Sequence, residues 1–103
     1  MKLELLITLV KSLYEEIYNE KAQSVEKLDD LIYEVKFENE TIRVDRATGN
    51  RYRLTFEKLM GTIDEFRKRI DKGMGIEMYA CDASYFIDLT ESQINQVANK
   101  YNI

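Results

Sequence analysis

The sequence predicts a small single α+β domain. An N-terminal helix packs on an antiparallel sheet, made of a three-stranded meander over 31–56 plus one or two short strands, with two further helices. Three observations predict this class. Apolar residues near the N-terminus recur at the three-four spacing of one helical face. From Leu31 to Phe56 they alternate with polar residues, the period of a half-buried strand. Further on, Thr62-Ile63-Asp64-Glu65 and Thr90-Glu91-Ser92-Gln93 are capping-box patterns that open helices.

The first helix is expected over Lys2–Gln23. Leu3, Leu6, Ile7, Val10, Leu13, Tyr14 and Ile17 share a face, and Leu5, Leu9 and Tyr18 widen the stripe. A helix this apolar is either central in the core or shared with a second copy of the chain. Ser24 is read as the cap of a short turn through Glu26, Lys27 and Leu28, and Asp29-Asp30 leads into the meander.

In the second hairpin of the meander, Ile42, Val44, Tyr52 and Leu54 point one way and Thr41, Arg43, Asp45, Arg51, Arg53 and Thr55 the other. With Ala47-Thr48-Gly49 as a three-residue turn and Gly49 left-handed, Val44 faces Tyr52, Ile42 faces Leu54 and Asp45 faces Arg51. That register also sets Arg43 opposite Arg53, an unfavourable like-charge pair. In the first hairpin Leu31, Tyr33, Val35 and Phe37 share a face, and Asn39 marks the turn. Two registers avoid like charges. One pairs Glu34 with Arg43; the other pairs Glu38 with Arg43 and Lys36 with Asp45.

The second helix starts either at Phe56 or at Thr62. The earlier start adds Leu59 and Met60 to a stripe with Ile63, Phe66 and Ile70, but it buries Gly61 inside a helix. Gly73 is a natural stop. Asp64–Lys68, Glu65–Arg69 and Arg67–Asp71 are spaced for pairing. Ile76–Cys81 and Tyr85–Leu89 read as strands around Asp82-Ala83-Ser84. The terminal helix shows Ile94, Val97, Ala98 and Tyr101 on one face.

At 103 residues and 45% apolar, the chain is long enough for one core and is not of disordered composition. No stretch has the apolar length of a bilayer span. The run Leu5–Val10 follows Glu4 and lacks a small-residue cleavage site, so no signal peptide is expected. Cys81, alone, makes no internal disulfide and fits a reducing, cytoplasmic setting.

The catalytic inventory is sparse. There is no histidine, which removes the usual general base, the usual metal ligand and every Ser-His or Cys-His dyad. No Gly-rich phosphate loop occurs, and the turn from Asp45 to Asn50 lacks the alternating oxygen ligands of a calcium loop. Glu34 with Glu38, or Asp29 with Asp30, would be carboxylate pairs for glycoside hydrolysis or magnesium. Among nineteen acidic residues, chance pairs are unavoidable. The expectation is a chain that is not an enzyme and carries no cofactor or metal.

The charge is unevenly spread. Residues 1–40 hold five Lys/Arg against ten Asp/Glu, and residues 41–73 hold nine against five. The favoured reading is a non-catalytic protein-binding module. It would be a small acidic inhibitor or adaptor, of the phage or mobile-element anti-defence or antitoxin type, occupying a basic or nucleic-acid-binding surface of a target protein. Its acidic face would comprise Glu26, Asp29, Asp30, Glu34, Glu38 and Glu40. A homodimer through helix 2–23 is compatible with this. The alternative is direct nucleic-acid binding through the hairpin residues Arg43, Arg46, Arg51 and Arg53 and the basic helix with Arg67 and Arg69. It is less favoured because the net charge is −4 and phosphate contacts dominate such affinity.

Overall fold

A computed structural model describes residues 2–57 and 61–103. The elements are α1 (Leu3–Tyr18), β1 (Ser24–Asp29), β2 (Ile32–Lys36), β3 (Thr41–Arg46), β4 (Arg51–Phe56), α2 (Thr62–Ile70), β5 (Glu77–Cys81), β6 (Ser84–Thr90) and α3 (Glu91–Lys100). The strands form one sheet in the order β1-β2-β3-β4-β6-β5, antiparallel throughout. The meander is therefore present, and three strands extend it rather than one or two.

α1 is shorter than its apolar pattern suggests. Asn19 takes the left-handed conformation, φ 52°, and its N–H closes on the Glu15 carbonyl. Asparagine tolerates that conformation at a helix end, so residues 20–23 leave the helix and lead to β1. Most of the α1 stripe is used in the core: Leu3, Leu6, Ile7, Leu9, Val10, Leu13 and Tyr14 are buried, Leu5 and Ile17 pack half-buried against them, and Tyr18 stays exposed. Tyr14 stacks on Phe37, with ring centroids 3.6 Å apart.

Ser24 caps nothing. It begins β1, which pairs with β2 through Ser24–Lys36, Val25–Val35 and Lys27–Tyr33, with a bulge before Asp29–Ile32. Every residue of β1 is exposed. An edge strand with no buried face has no apolar alternation to reveal it, so only its backbone pairing identifies it.

The β2–β3 register is the one that pairs Glu34 with Arg43. In β3–β4 the expected faces hold, but the register is two residues away from the expected one. Val44 faces Leu54, Ile42 faces Phe56, and Asp45 faces Arg53. The loop is Thr48-Gly49-Asn50, closed by the Ala47 N–H on the Arg51 carbonyl, with both Gly49 (φ 69°) and Asn50 (φ 58°) left-handed. A slip of two residues keeps each side chain on its face. It also removes the Arg43–Arg53 opposition.

α2 starts at Thr62, and Phe56 ends β4. Leu59 and Met60, which the earlier start would have placed on the helix, lie outside the described residues. The capping box at Thr62 does not form: Thr62 is the first helical residue, and its hydroxyl donates to Glu40 instead, at 2.7 Å. α2 stops at Ile70, before Gly73. In α3 the capping box is complete. Thr90 Oγ1 accepts from the Gln93 N–H, and Gln93 accepts from the Thr90 N–H. The core gathers Ile42, Val44, Tyr52, Leu54, Phe56, Ile87 and Leu89 of the sheet with the apolar residues of all three helices. The helices thus lie on one face of the sheet, and the other face is open. Among the described residues, no helix is long and apolar enough to cross a membrane.

Candidate functional site

The open face carries the strand residues that alternate with the core set, and register lines them up in rows. One row runs Ile32–Asp45–Arg53–Asp88–Glu77, and the next runs Glu26–Glu34–Arg43–Thr55–Phe86–Tyr79. Within and between the rows of this face acid and base come together. Lys36 Nζ lies 2.6 Å from Glu26, Arg43 lies 3.3 Å from Glu34, Arg51 lies 3.2 Å from Glu77, and Arg53 Nε lies 3.0 Å from Asp88 Oδ1.

Arg53 is the centre of the face. Asp45 and Asp88 flank it on the neighbouring strands. Its guanidinium stands 5.4 Å from the Phe86 ring centroid and 5.8 Å from that of Tyr79. The two rings stack at 5.1 Å. The Tyr79 hydroxyl donates to Asp88, 3.1 Å from Oδ2. Asp88 is only 6% exposed, because Arg53 and Tyr79 close over it. A buried carboxylate needs such partners. The bond to Asp88 raises the Arg53 pKa further, and burial followed by the Asp88 charge pushes the Tyr79 hydroxyl up.

Asp45 differs. Its Oδ1 is buried with no hydrogen-bond partner. Burial pushes its carboxyl above the ordinary carboxylate value, against the lowering effect of Arg53 and then Arg43.

The six acidic residues expected to form one face are divided among three places. Glu26 and Glu34 lie on the open face, each paired to a base. Asp29 and Asp30 sit at the β1–β2 turn, where Asp29 accepts from the Leu31 N–H and Asp30 pairs with Lys27 at 3.1 Å. Glu38 and Glu40 lie in the β2–β3 connection at the opposite end of β2. The Glu38 N–H donates to Glu20, and Glu40 turns inward to Thr62, whose hydroxyl also meets Tyr18 at 3.0 Å. Burial and then Glu40 raise the Tyr14 hydroxyl pKa.

The basic residues are equally dispersed. Arg43, Arg51 and Arg53 are on the open face, each bonded to a carboxylate. Arg46 bonds Asn50 at 2.9 Å in the hairpin loop. Arg69 lies on α2, across the molecule, bonded to Glu65 at 2.6 Å and near Glu16 at 3.5 Å. Lys68 joins the same Glu65, and Arg67 is exposed. Of the spacings foreseen on this helix, Glu65–Arg69 is the one that pairs.

Sequence reasoning missed Asp88, Tyr79 and Phe86. The available signal was Asp88 itself, an acid between Ile87 and Leu89 in a strand, facing away from both. Among the described residues, no three His, Cys, Asp or Glu side chains cluster to hold a metal ion, and Cys81 is an exposed free thiol at the sheet edge. The fold defines a small α+β domain with an open, charge-paired sheet face. No family model, no curated protein and no solved structure matches the chain.

Proposed function

We propose that the chain is a non-catalytic protein-binding module that docks a partner protein on the open face of its sheet, acting as an inhibitor or adaptor. The observation that carries this reading is the Arg53–Tyr79–Phe86 cluster. Arginine and aromatic side chains dominate interface energetics. Here Asp88 holds both Arg53 and Tyr79 in place, so little side-chain freedom is lost when a partner arrives. The paired charges around the cluster favour register and orientation over raw attraction. They also favour a partner of mixed charge, since a phosphate backbone would have to displace a carboxylate from Arg43, Arg51 and Arg53. Direct nucleic-acid binding is the less favoured reading for that reason.

The test is capture from a lysate, with and without nuclease treatment, by the tagged wild type and by the variants Tyr79→Ser and Arg43→Glu, with far-UV circular dichroism as the folding check. The expected result is one stoichiometric protein held by the wild type and lost from both folded variants. Capture that both variants retain, or material that disappears with nuclease, would count against this surface.

A further inference from the structure

The two edges of the sheet are built differently. β1 carries Glu26, Lys27 and Asp29 and is interrupted by a bulge. Charges and bulges are the devices that keep an edge from pairing with another chain. β5 has neither beyond Glu77 at its start. Its other residues are Met78, Tyr79, Ala80 and Cys81, all exposed, and its pairing to β6 runs without a shift.

Hairpin geometry decides which backbone groups of β5 are free. Cys81 and Ser84 flank the two-residue turn Asp82-Ala83, so they form the hydrogen-bonded pair that closes it. By alternation Tyr79 and Glu77 also direct their N–H and C=O groups at β6. Met78 and Ala80 therefore present theirs outward.

We propose that β5 pairs antiparallel with β5 of a second copy of this chain, about a two-fold axis at Tyr79, joining two sheets into one of twelve strands. The edge is self-complementary in that register. Met78 faces Ala80 of the other copy, and both are the residues with outward hydrogen-bonding groups. Tyr79 faces its own copy on the open side, and Glu77 faces Cys81, so no like charges stand opposite. A two-fold axis perpendicular to the sheet keeps the helix-covered faces on one side, where Met78, 37% exposed, gains an apolar neighbour. The joint is short beside the roughly 1,200 Å² of a stable complex, so the dimer forms in a concentration-dependent way.

The experiment is sedimentation equilibrium of the intact chain from about 10 µM to about 1 mM, the range of a small interface. Ala80→Pro removes an outward N–H without touching the β6 ladder, and Met78→Lys adds an edge charge. The wild type is expected to approach twice the monomer mass. Each variant should weaken association by roughly tenfold or more, whereas Val25→Lys on the β1 edge should leave it unchanged. Hydrogen exchange on the wild type supplies a readout that needs no variant. The Met78 and Ala80 amides should gain protection as concentration rises, and β1 amides should not. A wild type that stays monomeric to 1 mM overturns the proposal. So does a dimer that forms without added protection at Met78 and Ala80, or one that both folded variants retain.

Discussion

The two faces of the sheet hold their side chains by opposite means along the same strands. On the covered face Ile42, Val44, Leu54, Phe56, Ile87 and Leu89 are at most 1% exposed, and stability comes from burial and close packing. On the open face, Arg43, Arg53 and Asp88 stand one residue away from those positions along the same strands, as Glu34 does from the buried Val35 of β2, and they are held by the Glu34–Arg43 and Arg53–Asp88 pairs. The covered face is intolerant of lost volume. The open face tolerates most single changes except where a pair is itself buried, and only Asp88 on that face reaches core-like burial. Burial on the open face is thus concentrated at the Arg53–Asp88 pair, whereas every residue of β1 is exposed.

That comparison can be broken or sharpened by substitution. The largest effect belongs to the covered face. Phe56→Ala, which empties a fully buried ring packed edge-on against Phe66, should cost about 3–5 kcal/mol in chemical denaturation. Next is Asp88→Ala. It leaves the Arg53 guanidinium and the Tyr79 hydroxyl without their shared acceptor, so a loss of about 1–3 kcal/mol is expected. A loss as small as that of an exposed pair would mean that Arg53 and Tyr79 find water instead.

A third effect has the opposite sign and depends on pH. The Asp45 carboxyl has a folded pKa raised above its ordinary value of 3.8, chiefly by burial. Its contribution is fully present below the unfolded pKa and is lost as pH rises through the folded one. Wild-type stability should therefore decline relative to Asp45→Asn across that interval. The variant should be the more stable protein at neutral pH, measured by thermal unfolding at stepped pH. The smallest effect is Arg43→Ala. Arg43 and Glu34 form an accessible pair, 45% and 21% exposed, so at most about 1 kcal/mol should be lost, less at high salt.

Much of this division was readable in the chain. Alternation assigned Ile42, Val44, Tyr52 and Leu54 to one face, and that assignment survived a register two residues from the expected one. Avoiding like charges left two registers for the first hairpin, and the structure takes the one that pairs Glu34 with Arg43. The site was less readable. Arg53 was visible as a hairpin arginine, but its partner Asp88 lies 35 residues on, in a strand that becomes its neighbour only because β4 pairs with β6. Local spacing carries no record of that pairing. The acidic residues around β2 looked continuous along the chain. A strand, however, puts its two ends and its two faces in different places, so Glu34, Asp30 and Glu40 share no surface.

By itself the sequence determined the class of the fold, the apolar face of each main element and the start of α3, because periodicity and capping chemistry act between residues only a few positions apart. Only the tertiary structure decided that α1 buries most of its stripe in the core, that β1 exists at all, and that Glu26, Glu77 and Asp88 each meet a base. These outcomes depend on which strands become neighbours, and backbone hydrogen bonding between distant segments sets that choice.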